Sequence, residues 1–331
     1  MRWCAKAGRA LTGRLTARAE GQTFPKGRRH DAAALEPWGL RFTIPSTHQR
    51  RTETVLKTPL RSALTLSLAA LITAAFVPHG RAEMRPIFDA HIHYSHDAVE
   101  RVPPEQIAKI LREAGVKKAL VSSSDDNGTQ LLLAAAPDIV VPALRPYSRR
   151  GAIGTWMHDA SVIDYLQRNL AQNDYAAIGE FHAYGDDIKT EVIQALIAMA
   201  KERNLLLHHH GDRAALDLIF ATWPEARVLW AHSGFDDPAD VVEALDTYPR
   251  LWADLAYRSD MAVGGQVTAD WRAAFEAHPD RFMVGTDTFA PERWYYVGPH
   301  ADFTRGWLAD LPDGIADQIA YDNAARMLAA K

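Results

Sequence analysis

The chain has 331 residues, of which 47% are hydrophobic, 24% charged and 9% aromatic, with a formal net charge of −4. This balance excludes a collagen-like, low-complexity or disulfide-stapled protein. Cys4 is the single cysteine, so neither an intramolecular disulfide nor a multi-cysteine zinc site is available.

Charge is unevenly divided along the chain. Residues 1–82 carry 14 Lys/Arg against 4 Asp/Glu, a net of +10, whereas residues 83–331 carry 23 against 37, a net of −14. An acidic body argues against nucleic acid as a partner, because non-specific binding of a phosphate backbone needs a basic face.

Residues 1–54 are Arg-rich, lack sustained apolar periodicity and read as a non-globular extension. Residues 55–82 have the layout of a secretory signal. Lys57 and Arg61 precede the uncharged run 62–77, and Gly80-Arg81-Ala82 puts small residues at −3 and −1. The run is shorter than the roughly 20 residues of a membrane-spanning helix. It therefore implies cleavage after Ala82, export to the periplasm or medium, and no stable membrane span thereafter. An ordinary signal starts with only a few charged residues, and a translation start near Val55 would account for the long basic stretch ahead of this one.

From residue 86 onward, short apolar runs alternate with amphipathic ones. The strand candidates are 86–91, 117–123, 138–146, 176–182, 204–210, 227–232, 251–257 and 281–287. Helical patterns occupy 104–114, 126–136, 157–172, 188–203, 213–222, 238–247, 266–278 and 314–330. In 188–203, Ile188, Val192, Ile193, Leu196, Ile197 and Ala200 recur at three- and four-residue spacing, which is one helical face. Asp237-Pro238 reads as an N-cap followed by Pro at the first helical position. Eight βα units in residues 83–331, close to the roughly 250 residues typical of a closed barrel, predict a (β/α)₈ TIM barrel in one domain. An open doubly wound sheet is the second choice, and no glycine-rich nucleotide motif favours it. The connection 289–313 is the longest and holds Trp294, Tyr295, Tyr296, Phe303 and Trp307; it reads as a flap over the barrel mouth or a packed loop.

The carboxyl ends of barrel strands build active sites, and here those ends are polar. His91 and His93 come at the exit of the first strand, Glu180 and His182 at the fourth and His208 to His210 at the fifth, while His232 ends the sixth and Asp287 the eighth. A lone histidine in a strand is usually a hydrogen-bonded core residue. His-x-His is stronger, since alternation sends both rings to one face. Convergence of five strands on one rim is stronger still, because buried ionisable groups need partners, and a divalent metal supplies them. Zinc is the first choice, with manganese, iron, cobalt and nickel also suited to nitrogen and oxygen donors. His210 lies nearest the strand exit and is the ligand candidate of its run; His208 sits a layer below, and His209 faces the covering helices.

These residues resemble the amidohydrolase superfamily, and within it the amidohydrolase-related branch of metal-dependent hydrolases. The resemblance spans 86–331 and rests on Phe88-Asp-Ala-His-Ile-His93, Ile178-Gly-Glu180, His210-Gly-Asp, Trp230-Ala-His232-Ser-Gly, Val284-Gly-Thr-Asp287 and the closing segment 319–326. It implies that His91, His93 and His210 bind a catalytic metal. Asp287 then binds it or takes a proton from its water, and His232 is a second-metal ligand or a neighbour that activates water or polarises substrate. Glu180 stands where some members carry a carboxylated lysine, which resembles TatD-like nucleases and allows a carboxylate bridge. His182 is an imidazole beyond the usual pattern. One or two metal ions both fit.

The implied chemistry is hydrolysis of a small-molecule amide, lactone or ester by metal-activated water. Arg145, at the end of the third strand, and Arg293, in the last long loop, are candidates to anchor a substrate carboxylate, or else to form ordinary salt bridges. Two other readings stand beside the hydrolase: a metal-dependent non-oxidative decarboxylase of the same branch, and an exported binding protein that keeps a metal without catalysis. A homo-oligomer is compatible with all three. Neither a Gly-x-Ser-x-Gly elbow nor a cysteine nucleophile supports other mechanisms. N-terminal sequencing of the native protein is expected to begin at Glu83; recovery of a peptide from residues 20–50 would overturn the late translation start.

Overall fold

The computed structural model describes residues 84–330. The extension 1–54 with Cys4 and the whole signal segment 55–82 lie outside the described residues, and so do the readings made of them. Among the described residues no helix is long and apolar enough to cross a membrane.

Eight parallel strands follow one another around the sheet in chain order: β1 (Ile87–His93), β2 (Val116–Ser122), β3 (Val140–Leu144), β4 (Ala177–His182), β5 (Leu206–His210), β6 (Val228–Trp230), β7 (Leu251–Asp254) and β8 (Phe282–Met283). Helices connect successive strands, as a parallel sheet demands. The fold is a TIM barrel. Most sequence-read elements recur within a few residues. β6, β7 and β8 are shorter than expected, and the expected helix 266–278 begins only at Ala269, after a small hairpin of Ala262–Val263 and Gln266–Val267.

The long connection needs correction. It is no structureless flap, because it contains a helix over Val297–Leu308 that buries Val297, Ala301, Thr304, Trp307 and Leu308. Trp294 and Trp307 are core residues, whereas Tyr295, Tyr296 and Phe303 are exposed. The last helix, expected over 314–330, runs from Asp313 to Ala329 and carries a π turn at Gln318–Asp322.

Alternation along the strands separates two cores. One set of residues, including Ile178, Leu207, Val228 and Phe282, packs against the surrounding helices. The other set, Phe88, Leu120, Ala143, Ala177, Leu206, Leu229 and Met283, fills the barrel, and Ala324 and Met327 of the final helix join it. Above this apolar floor the inward side chains become polar. Two register shifts make the change possible. Phe88 and Ala90 belong to the inner cluster, and strict alternation would send His91 outward. An irregularity between Asp89 and Ile92 resets the phase, as bulges do, and His91 and His93 face inward. A second shift between Gly179 and Phe181 does the same for Glu180. Gly179 has φ 130°, and a Cβ there would lie 2.2 Å from the His208 carbonyl oxygen, so this crossing needs glycine.

Closure between β8 and β1 is irregular. A single bridge joins Ile92 to Thr288, and Ala90 N–H, His93 N–H and Asp287 N–H donate to Val284, Thr288 and His91 carbonyls. Asp89 reinforces the seam. Its carboxylate accepts from the backbone N–H groups of His91 (3.1 Å) and Thr286 (3.0 Å) and from Thr286 Oγ1 (2.7 Å). Burial pushes its pKa up to about 6 against those donors. Asp89→Ala strands three buried donors at the closing seam, and at roughly 1 kcal/mol each the loss is about 3 kcal/mol. In a domain of this size that lowers the melting temperature by about 6–12 °C, which a thermal melt checks; a shift under about 2 °C would show that the seam closes without the carboxylate.

Candidate metal centre

The two histidines of β1 meet groups from β4 and β5, from the end of β7 and from the turns that follow β6 and β8 in one buried cluster. His91 Nε2 lies 3.1 Å from His93 Nε2, 3.5 Å from Glu180 Oε1 and 3.6 Å from Asp287 Oδ1. His93 Nε2 is 3.1 Å from Glu180 Oε2 and 3.2 Å from Asp287 Oδ1. On the other side of Glu180, Oε1 is 2.7 Å from His210 Nδ1 and 3.7 Å from His232 Nε2. Two of the donor sets compact enough for a metal ion therefore share Glu180, namely His91, His93 and Glu180 and then Glu180, His210 and His232; His91, His232 and Asp287 make a third.

Outer contacts fix the histidine rings. His91 Nδ1 faces Asp254 Oδ2 at 3.1 Å, and His232 Nδ1 faces the Ala256 carbonyl at 2.9 Å. His93 Nδ1 faces the Ser122 hydroxyl at 2.9 Å and its carbonyl at 3.3 Å. Carboxylates and carbonyls only accept, so Nδ1 carries the proton in the neutral rings and Nε2 keeps its lone pair. Lone pairs of three histidines thus point at one another and at carboxylate oxygens. In the neutral rings acceptor faces acceptor, which is repulsive unless a proton or a metal cation stands between them, and the donor set fits a divalent metal.

The charge inventory agrees. Glu180, Asp254 and Asp287 supply three negative charges and Arg145 one positive, all of them largely buried. Uncompensated charge at such depth costs several kcal/mol per ion. Burial by itself would lower the His91 pKa, but Asp254, Asp287 and Glu180 outweigh it and hold it well above the ordinary imidazole value. Burial likewise opposes ionisation of Glu180, yet His91 and Arg145 keep its carboxyl well below the usual range. Asp254 and Asp287 are also lowered, against burial, chiefly by His91. The cluster is built around a positive charge.

Other expected residues take different places. Arg145 lines the cavity but does not stand free for substrate: its Nη2 donates to Glu180 Oε2 at 2.5 Å and its Nε to the Glu180 carbonyl at 3.1 Å. Arg293 lies outside the cavity lining. It donates to the Thr286 carbonyl at 2.8 Å and spreads over the rings of Tyr257 (4.4 Å) and Phe289 (5.7 Å). His182 stacks on His210 with centroids 4.0 Å apart, and its Nδ1 is 2.6 Å from Tyr147 Oη; burial pushes its pKa down to about 3. His208 lies beneath His91, 3.2 Å from Asp254 Oδ2, with its pKa pushed down to about 4 by burial. His209 points outward to Phe181 and the Ala183 carbonyl.

Asp254 is the residue that sequence reading missed. Fully buried at the end of β7, it accepts from His91, from His208 and from the backbone N–H groups of His232 and Ala256. Leu-Trp-Ala-Asp254 ends its strand just as Leu-Trp-Ala-His232 ends the one before, and that parallel was the available signal.

A cavity of about 310 Å³ opens onto the cluster, reaching His93, Glu180, His182, His210 and Asp287, with Ser95, Ser124 and Phe289 among its walls. Its place at the carboxyl ends of the strands is where barrel enzymes bind substrate. A model of the amidohydrolase family matches residues 88–329. The chain belongs to the amidohydrolase family. It is accordingly an enzyme of the metal-dependent hydrolase type, and an amidohydrolase of this kind acts on a small molecule. Solved structures similar in fold include an uncharacterised TIM-barrel protein from Bordetella bronchiseptica, 14% identical with a TM-score of 0.53 over 74% of this chain and 98% of that one. A second, from Pseudomonas putida and named for 2-pyrone-4,6-dicarboxylic acid hydrolysis, is 14% identical with a TM-score of 0.52 over 74% and 98%. No curated protein matches the chain.

Outer-sphere groups that orient metal-binding histidines are typically worth about 10–100-fold in metal affinity. Asp254→Asn is expected to weaken divalent-metal binding by that factor in a chelator competition, while a His91→Ala, His93→Ala double variant loses bound metal outright by elemental mass spectrometry. Full metal occupancy in the double variant would remove the site from these residues.

Proposed function

We propose that this amidohydrolase cleaves an amide, lactone or ester bond of a small molecule outside the cytoplasm, using one or two divalent ions, zinc first among them, held by His91, His93, Glu180, His210, His232 and Asp287. An ion in that set supplies a water of lowered pKa and polarises the carbonyl under attack.

The observation that carries the reading is the setting of Asp287. Glu180 and Asp287 are the two acids at the inner end of the cavity. Glu180 is committed to Arg145 and His210. Asp287 lies 3.2 Å from His93 Nε2, keeps a partly exposed carboxylate and is lowered in pKa, so it is ionised at neutral pH and free to accept a proton. Its position suits it to take the proton of the attacking water and return it to the leaving nitrogen or oxygen. The backbone at Asp287 is left-handed, φ 44°, a conformation non-glycine residues adopt at some cost and often at functional sites. The Ala256 carbonyl faces His232 Nδ1, which leaves Nε2 turned to the cluster and favours a ligand role over donation to an oxyanion. Arg145 acts on Glu180, fixing one carboxylate oxygen so that the other turns to His210.

Positioned general bases typically contribute about 10²–10⁴-fold. Asp287→Asn is expected to lower kcat on small esters or lactones by that range while the protein keeps at least half of its metal; turnover equal to wild type would overturn the assignment.

A further inference from the structure

Beyond the ligand cluster, the mouth of the barrel carries rings that the hydrolytic chemistry does not require. Tyr184, Phe235, Tyr257 and Phe289 are 48%, 56%, 42% and 46% exposed. Large aromatic side chains are usually buried, and clustered exposure marks a contact surface. Each ring follows a different strand, β4, β6, β7 or β8, and together with two metal-site histidines they make one continuous arc. Successive centroid separations are 6.1 Å from Tyr184 to His210, 6.1 Å to Phe235, 4.6 Å to His232, 6.0 Å to Tyr257 and 6.4 Å to Phe289. Phe235 lies parallel to His232, at 14°, and Phe289 is itself a wall of the catalytic cavity.

The backbone is bent to present these rings. Phe235 has φ 57° and Tyr257 φ 56°, both in the left-handed region that non-glycine residues seldom occupy. His232 and Ser233 share that conformation, so the same strained turn sets the ligand and the ring beside it. From the protein side, Arg293 braces the Tyr257 and Phe289 rings. The catalytic cavity itself is lined by Ser95, His96, Asp97 and Ser124 together with Ile153 and Ala290. Phe289 is the one ring of the four that lines this cavity; Tyr184 packs beside His210, which also lines it, and the arc continues from there through Phe235 and Tyr257.

We propose that the arc is the specificity surface of the enzyme and selects substrates carrying a planar, uncharged ring one or two bonds from the scissile carbonyl. The inference rests on the metal-dependent hydrolase reading. Contiguity with the catalytic cavity and direct packing on His232 identify the occupant as substrate; the competing occupant of such a surface is a second copy of the chain.

The test uses zinc-reconstituted protein and calorimetric titration with two metal-chelating probes, benzohydroxamate and acetohydroxamate, which differ in the ring alone. Benzohydroxamate is expected to bind at least about tenfold more tightly, equivalent to about 1.4 kcal/mol. In a Phe235→Leu, Tyr257→Ala variant, and separately in Phe289→Ala, that preference is expected to shrink below about threefold with acetohydroxamate still bound. Equal affinity of the two probes in the unaltered protein overturns the specificity surface and leaves the metal reading standing. Failure of both probes to bind overturns the metal reading and the surface with it. A fall in sedimenting mass in the double variant, with the probe preference intact, assigns the arc to contact between copies and also overturns the proposal.

Discussion

Three carboxylates buried within reach of one another are an electrostatic problem that the rest of this molecule is arranged to solve. Glu180, Asp254 and Asp287 would repel and resist ionisation if left to themselves. Arg145 answers part of the charge by gripping Glu180, and the four donors on Asp254 satisfy that group completely. What remains is a centre that stabilises a positive charge where the histidine Nε2 atoms meet. The apolar floor of Phe88, Leu206, Leu229 and Met283 keeps water from relieving that demand from below.

The same constraint explains two of the departures from regular strand geometry. A β strand shows alternate residues to one face, yet the chain needs an apolar residue at the floor and a polar one at the mouth in the wrong phase on β1 and β4. Register shifts at Asp89–Ile92 and Gly179–Phe181 correct the phase, and Gly179 permits the second by leaving room for the His208 carbonyl. The irregularities are therefore local and sit where the chemistry begins.

Much of this was legible in the sequence because strand ends are conspicuous when a histidine or acid closes an apolar run. His91, His93, Glu180, His210, His232 and Asp287 could be gathered on that basis, and the structure brings them together. Asp254 escaped because a single aspartate among many is unremarkable, and its value lies in backbone and imidazole donors that only the fold assembles. Arg145 and Arg293 could be placed near the mouth but not paired: an arginine's reach spans several partners, and which one it finds depends on neighbouring strands. The helix Val297–Leu308 was hidden by Gly298, Pro299 and Gly306, which depress local helix propensity while Trp307 and Ala301 anchor it by packing.

The seam between the first and last strands gives the site a dependence on the order of synthesis. His91 and His93 leave the ribosome nearly two hundred residues ahead of Asp287 and the Thr286 donors that hold Asp89. Until β8 docks, the two histidines face an open sheet edge and the donor set of His91, His232 and Asp287 cannot form. Completion of the set of catalytic groups and closure of the barrel are thus one event, set by the arrival of Thr286 and Asp287 at the seam.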